Sequence, residues 1–258
     1  MMTKTALITG STGGIGSAFC DLLAIEGYDL ILISKNKSDL ENQALKLRQR
    51  GTNTYFFAAD LSLPNEPQRL YSEIASSNLT VDILINNAGF NEVGYFKNTD
   101  LSKELNMIQV HIRSLTELTK LFLPHMIEQG FGRILNLGST GSYMSCPCDA
   151  VYSATKSYVL SFSNALFHEL KGTGVTVTCL CPGATQTPFA RKAGIEDTML
   201  FKTLVMNPKS VAKIGYKSMM NGRRTVTAGF YNKLLVFCAR LLPVSILNPI
   251  AQYMIKRR

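Results

Sequence analysis

Short apolar runs alternate with longer amphipathic stretches along this chain. The runs are Ala6-Leu7-Ile8, Leu30-Ile31-Leu32-Ile33, Tyr55-Phe56-Phe57, Ile83-Leu84-Ile85, Ile134-Leu135-Asn136-Leu137 and Val175-Thr176-Val177-Thr178. Their apolarity is continuous rather than alternating, which predicts strands buried on both faces. The stretches between them predict helices near residues 14–27, 38–50, 66–78, 101–129, 151–171 and 208–221. A repeated strand–helix rhythm of this kind predicts the α/β class, with a doubly wound parallel sheet flanked by helices and right-handed crossovers. No internal repeat, low-complexity tract or linker interrupts it, so residues 1–258 are expected to form one domain.

Two segments depart from the rhythm. Residues 187–207 carry Phe189, Met199, Leu200, Phe201, Leu204 and Met206 and are the candidate for a mobile substrate lid over an apolar pocket. Residues 234–258 are apolar and basic, broken at Pro243 and Pro249 and ending Lys256-Arg257-Arg258. Such a tail suits a subunit interface or a cover for the pocket, and after these a peripheral contact with an anionic membrane surface.

Composition narrows the picture modestly. Hydrophobic residues make up 46% and charged residues 17%, as in soluble globular proteins. The net charge of +9 suits an anionic ligand, nucleic acid or membrane without choosing among them. The basic residues are dispersed and no groove-reading motif is present, so nucleic acid is not expected as a partner. Cysteines 20, 146, 148, 179, 181 and 238 form no C-x-x-C pair, zinc spacing or disulfide framework, so no metal is expected and reduced thiols are. Cys146 and Cys148 read as loop-filling side chains, with a redox role as the alternative. The chain runs from Met1 into the first strand without a recognisable export signal, and no apolar run reaches the roughly 18 residues of a membrane span. A cytoplasmic location follows as the expectation.

The sharpest motif lies immediately after the first strand: Thr9-Gly10-Ser11-Thr12-Gly13-Gly14-Ile15-Gly16, opening a helix. Gly10, Gly14 and Gly16 permit a tight turn, close approach of backbone to a pyrophosphate and close helix–sheet packing, while the helix N-terminus offers N–H groups to the anion. The strand–turn–helix context makes this a dinucleotide-binding, Rossmann-type signature.

Further matches follow in order: Asp60-Leu61, Asn86-Asn87-Ala88-Gly89, Ser139, Tyr152-Ser153-Ala154-Thr155-Lys156, and Pro182-Gly183 followed by Thr187. Together they resemble the short-chain dehydrogenase/reductase family over about residues 3–190. The resemblance implies cofactor contacts from Gly10, Ser11, Thr12, Gly14, Ile15, Gly16, Asp60, Leu61, Asn87, Ala88, Gly89, Tyr152, Lys156, Pro182, Gly183, Thr185 and Thr187. It also implies a homodimer or homotetramer.

Members that prefer NAD usually carry an acid at the end of the second strand. Here the strand ends Ile33-Ser34-Lys35-Asn36. Lys35 suits a ribose 2′-phosphate, with Ser34 and Asn36 adding hydrogen bonds, so NADP(H) is the expected cofactor; the plainer reading of Lys35 is a solvated helix-entry charge.

Tyr152 and Lys156 are four residues apart and so share one face of a helix. A nearby ammonium favours the phenolate and lowers the tyrosine pKa toward the working range. By the resemblance, Tyr152 exchanges a proton with a carbonyl oxygen, Ser139 hydrogen-bonds that oxygen, and Lys156 both tunes Tyr152 and holds the nicotinamide ribose. The family's usual Asn in the fourth helix is replaced: the chain reads Val110-His111-Ile112. His111 suits a water-mediated proton relay or, equally, a buried helix residue satisfied by its neighbours.

The expected activity is NADP(H)-dependent interconversion of a carbonyl and a secondary alcohol on a hydrophobic ketone or 3-oxoacyl substrate. The competing class is a non-catalytic NADP(H)-binding regulatory protein of the same fold.

Overall fold

The computed structural model describes residues 3–203 and 205–256. Seven parallel strands form one sheet in the order β3-β2-β1-β4-β5-β6-β7. They are β1 (Thr5–Thr9), β2 (Asp29–Ser34), β3 (Thr54–Ala58), β4 (Ile83–Asn86), β5 (Gly132–Leu137), β6 (Val175–Cys181) and β7 (Thr225–Thr227). The order reverses between β1 and β4, which opens a crevice at their carboxyl ends, the usual ligand site of such sheets.

Strand side chains alternate between two cores. Ala6, Ile8, Leu30 and Leu32 face α1 (Gly14–Ile25), α2 (Lys37–Arg48) and α9 (Pro208–Met220), packing with Phe19, Leu23, Leu40 and Met219. Leu7, Ile31, Ile33 and Leu84 face α3 (Glu66–Ser76) and α5 (Leu115–Glu128), packing with Leu70, Ile74, Leu118 and Phe122. Both sheet faces are therefore covered, which is why the central strands β1, β2 and β4 read as nearly continuous apolar runs.

Five expected helices form within two residues of their predicted ends, counting α6 (Ala150–Glu169). The sixth, expected over 101–129, is built differently. It runs as α4 (Leu101–Ile108), a π-helical segment Gln109–Ser114, and α5. A π segment inserts a residue into the helical register, and it places His111 inward at a functional edge. Also outside the expected elements are β7, the short α7 (Pro188–Lys192) and α8 (Met199–Lys202), and two terminal helices, α10 (Phe230–Leu241) and α11 (Val244–Ile255).

The breaks at the two prolines prove different. Pro243 caps α11, whereas Pro249 sits inside it. Leu204 of the expected lid, Met1, and Arg257 and Arg258 of the tail lie outside the described residues.

Candidate active site

The turn after β1 is shaped by close backbone approach. Gly10 has φ +63°, and a Cβ there would meet Ala88 Cα at 2.9 Å. A Cβ on Gly16 would stand 2.2 Å from Gly10 O, and one on Gly14 would stand 2.3 Å from Thr187 Cγ2. The three glycines and Thr187 thus form a cradle that any larger residue would fill. Gly13 caps α1 without a side-chain hydrogen bond, leaving its first N–H groups available to an anion. These features fit a dinucleotide pyrophosphate.

Asn87 supports the cradle rather than facing into it. Its Nδ2 donates to Thr9 O at 2.9 Å and Gly10 O at 3.1 Å, while Thr9 Oγ1 accepts from the Asn87 and Ala88 amides. On the other side of β1, a depression of about 260 Å³ is lined by Ser34, Lys35, Asp60, Leu61, Ala88 and Gly89. That grouping suits the adenosine half of a dinucleotide.

Three residues expected at the 2′-phosphate already have partners. Lys35 Nζ pairs with Asp60 Oδ2 at 2.6 Å, with the lysine side chain 76% exposed. Burial pushes the Asp60 carboxyl upward, but hydrogen bonds from Lys35 and Ser62 outweigh it and hold the group below its ordinary value. Ser34 Oγ lies 2.8 Å from Thr12 Oγ1, and Asn36 Oδ1 accepts from the Ser38 and Asp39 amides as the cap of α2. Asn36 therefore serves the helix first.

Ser139, Tyr152 and Lys156 converge at the carboxyl edge of β5. Ser139 opens a single 3₁₀ turn, Thr140–Tyr143, where its Oγ accepts from Gly141 N at 3.1 Å. Its hydroxyl is also close enough to the Tyr152 phenol to pull that group's pKa downward. One turn along α6, Lys156 is 5% exposed and donates from Nζ to Leu137 O at 2.8 Å. Its Nζ lies 5.6 Å from the Tyr152 ring centre.

The electrostatics differ from the sequence expectation. Burial lowers the Lys156 pKa to about 8, against an opposing pull from Cys179 and Cys181. Burial and the Asp149 charge push the Tyr152 phenol above its ordinary value, against the downward pull of the Ser139 hydroxyl. Desolvation outweighs the ammonium here because Lys156 is directed at the Leu137 carbonyl.

His111 backs this group at 5.7 Å between ring centres from Tyr152. Its Nε2 accepts from Phe90 N at 3.3 Å, so the proton sits on Nδ1, 2.9 Å from Thr155 Oγ1. Burial, then Lys156, hold the imidazole well below its ordinary pKa and therefore neutral. A Cβ on Gly89 would meet Nε2 at 2.6 Å, so the glycine makes room for the ring.

Ser139 and Tyr152 open into a cavity of about 310 Å³. Its far side is built by Phe189, Leu200 and Phe201 of the expected lid and by Leu235, Leu242 and Met254 of the terminal helices. The cofactor side includes Ile15, Pro182, Gly183, Thr185 and Thr187. Met206 does not line it; it packs against the core beneath α9, and its backbone bridges to Thr185. Met199 is likewise absent from the lining. Cys146 lines the cavity as packing, with burial raising its thiol to about 12, which disfavours the reactive thiolate.

The sequence reading missed Asp149 and Asn91. Asp149 is 5% exposed, lines the cavity, and lacks a partner on Oδ1. Burial raises its carboxyl to about 7, partly offset by a hydrogen bond from Asn91, whose own Oδ1 also has no partner. A signal existed, since Asp149 is the only acid between Glu128 and Glu169.

The comparisons with known proteins agree with this geometry. The short chain dehydrogenase family pattern matches residues 4–198. The chain belongs to the short-chain dehydrogenase/reductase family. It is an oxidoreductase of that family, with a nucleotide-binding Rossmann fold. A ketoacyl reductase, HetN, of a Nostoc species is 28% identical over 94% of this chain and 86% of its own. The human very-long-chain 3-oxoacyl-CoA reductase is 31% identical over 84% of this chain and 70% of its own. A Sphingobium yanoikuyae short-chain dehydrogenase solved in complex with NADPH matches with a TM-score of 0.80 at 29% identity, covering 87% of each chain.

Proposed function

We propose that this family member reduces the ketone of a long 3-oxoacyl substrate, or a similarly hydrophobic ketone, with NADP(H) as cofactor. The observation that carries the reading is the apolar cavity that begins at the Ser139–Tyr152 pair and extends beneath the terminal helices. The names of the relatives, ketoacyl and very-long-chain 3-oxoacyl-CoA reductases, support the substrate class.

When bound, NADP(H) supplies or accepts the hydride. The glycine cradle and the first turn of α1 would hold its pyrophosphate, and the Lys35 side its adenosine ribose. Tyr152 keeps its phenolic proton through neutral pH because burial and Asp149 disfavour the phenolate. A phenol that stays protonated suits donation to a developing alkoxide, and so the reductive direction. The Ser139 hydroxyl positions the carbonyl oxygen beside that phenol and stabilises the charge as it grows. Lys156, held by Leu137 O, supplies a positive charge behind the tyrosine. We assign His111 to positioning, because both ring nitrogens are engaged by Phe90 and Thr155.

The test is a screen of NADPH oxidation over aliphatic, aromatic, steroid and 3-oxoacyl carbonyls. Turnover rising with acyl chain length supports the reading, whereas preference for short polar ketones contradicts it.

A further inference from the structure

The two terminal helices are apolar on both sides. Leu235 and Leu242 of α10 and Leu247 and Met254 of α11 face the cavity. On the outside of α10, Phe230, Leu234, Phe237 and Leu241 are exposed, at 76%, 52%, 60% and 67%. Their spacing of four, three and four places them on one outward stripe. Val244, Ile246 and Tyr253, none of them in the cavity lining, continue the exposed surface along α11. An apolar patch of this extent marks an interaction site.

Its charge setting is one-sided. Residues 198–258 contain eleven Lys and Arg and no Asp or Glu, so they account for the whole net charge of +9. Lys202, Lys233, Arg240 and Lys256 of α8, α10 and the end of α11 are exposed. Among the described residues none of these four forms an ion pair with an acid, although Arg240 stacks on the Tyr143 ring at 4.9 Å.

We propose that the outer faces of α10 and α11 dock on an anionic lipid surface. Apolar side chains enter the acyl boundary while lysine and arginine meet anionic headgroups, as in interfacial helices. A second copy of the chain fits less well: a two-fold contact would set this acid-free surface against itself, basic residue to basic residue. No helix among the described residues is long and apolar enough to cross a membrane, which leaves surface docking as the mode. Docking would place the roof of the cavity against the bilayer. This goes beyond the proposed catalysis and does not depend on it.

The test is flotation of the full chain with vesicles of phosphatidylcholine alone and of phosphatidylcholine with phosphatidylglycerol. Each basic residue at the surface contributes about fivefold in binding, so strong preference for the anionic vesicles and release by salt are expected. The triple variant Leu234→Gln, Phe237→Gln and Leu241→Gln, outside the cavity lining, should lose flotation while keeping its thermal unfolding and its rate on a soluble ketone. If that variant unfolds, Lys233→Glu with Arg240→Glu replaces it and should likewise lose flotation. The proposal is overturned if the chain stays out of both vesicle fractions, or if sedimentation shows a dimer that the substitutions dissociate while flotation is absent.

Discussion

At the residue scale, Asp149 most changes the view of the site. An acid held near pH 7 by burial binds its proton more tightly in the folded chain than in the unfolded one. Its cost to the fold is therefore absent below its ordinary value near 4 and complete above 7. Asp149→Asn should raise stability at pH 8 by up to about 4 kcal/mol, with the gap closing as pH falls toward 4. Thermal unfolding across that range measures it, and a gap independent of pH would refute the assignment. Lys35 makes a separate point. Its charge was legible at the end of β2, but its partner Asp60 belongs to a different strand end and was not. A 2′-phosphate must compete with that carboxylate. Lys35→Ala should still reduce the preference for NADPH over NADH by about tenfold, as read from the two dissociation constants.

At the element scale, the legible parts are those fixed by local chemistry. The strands β1 to β6 each contain a short run rich in apolar residues, interrupted by Asn136 in β5 and by Thr176 and Thr178 in β6, and the glycine turn announces its own backbone. Three pieces were not legible. β7 is three residues of Thr-Val-Thr at a sheet edge, too short and too polar to read as a run. The π segment depends on what the helix packs against: His111 turns inward because Gly89 leaves space and the Phe90 amide and Thr155 hydroxyl satisfy it. The terminal helices carry apolar residues all round, so periodicity gives neither their inner nor their outer face. The π segment carries its own prediction. His111→Asn should leave the pH dependence of turnover unchanged, since the imidazole is neutral throughout, while lowering thermal stability through loss of its buried contacts. A displaced pH profile would restore the relay role.

On the scale of the whole molecule, the doubly wound sheet sets the nucleotide cradle and the catalytic edge side by side, and the segments after β6 turn that edge into a cavity. Ser139, Tyr152 and Lys156 were legible as motif members. Their joining with Phe189, Leu242 and Met254 was not, because it depends on contacts between residues far apart in the chain, up to 115 positions between Ser139 and Met254. Division of labour follows: the shared framework holds the cofactor and proton donor, and the lid and tail choose the substrate. The central claim is that Tyr152 donates the proton to a carbonyl held beside Ser139. The direct measurement is the rate of NADPH oxidation with a long 3-oxoacyl thioester, for the wild type and for Tyr152→Phe. The account predicts a fall of about 10²–10⁴-fold with the fold and NADPH affinity retained; an undiminished rate would contradict it.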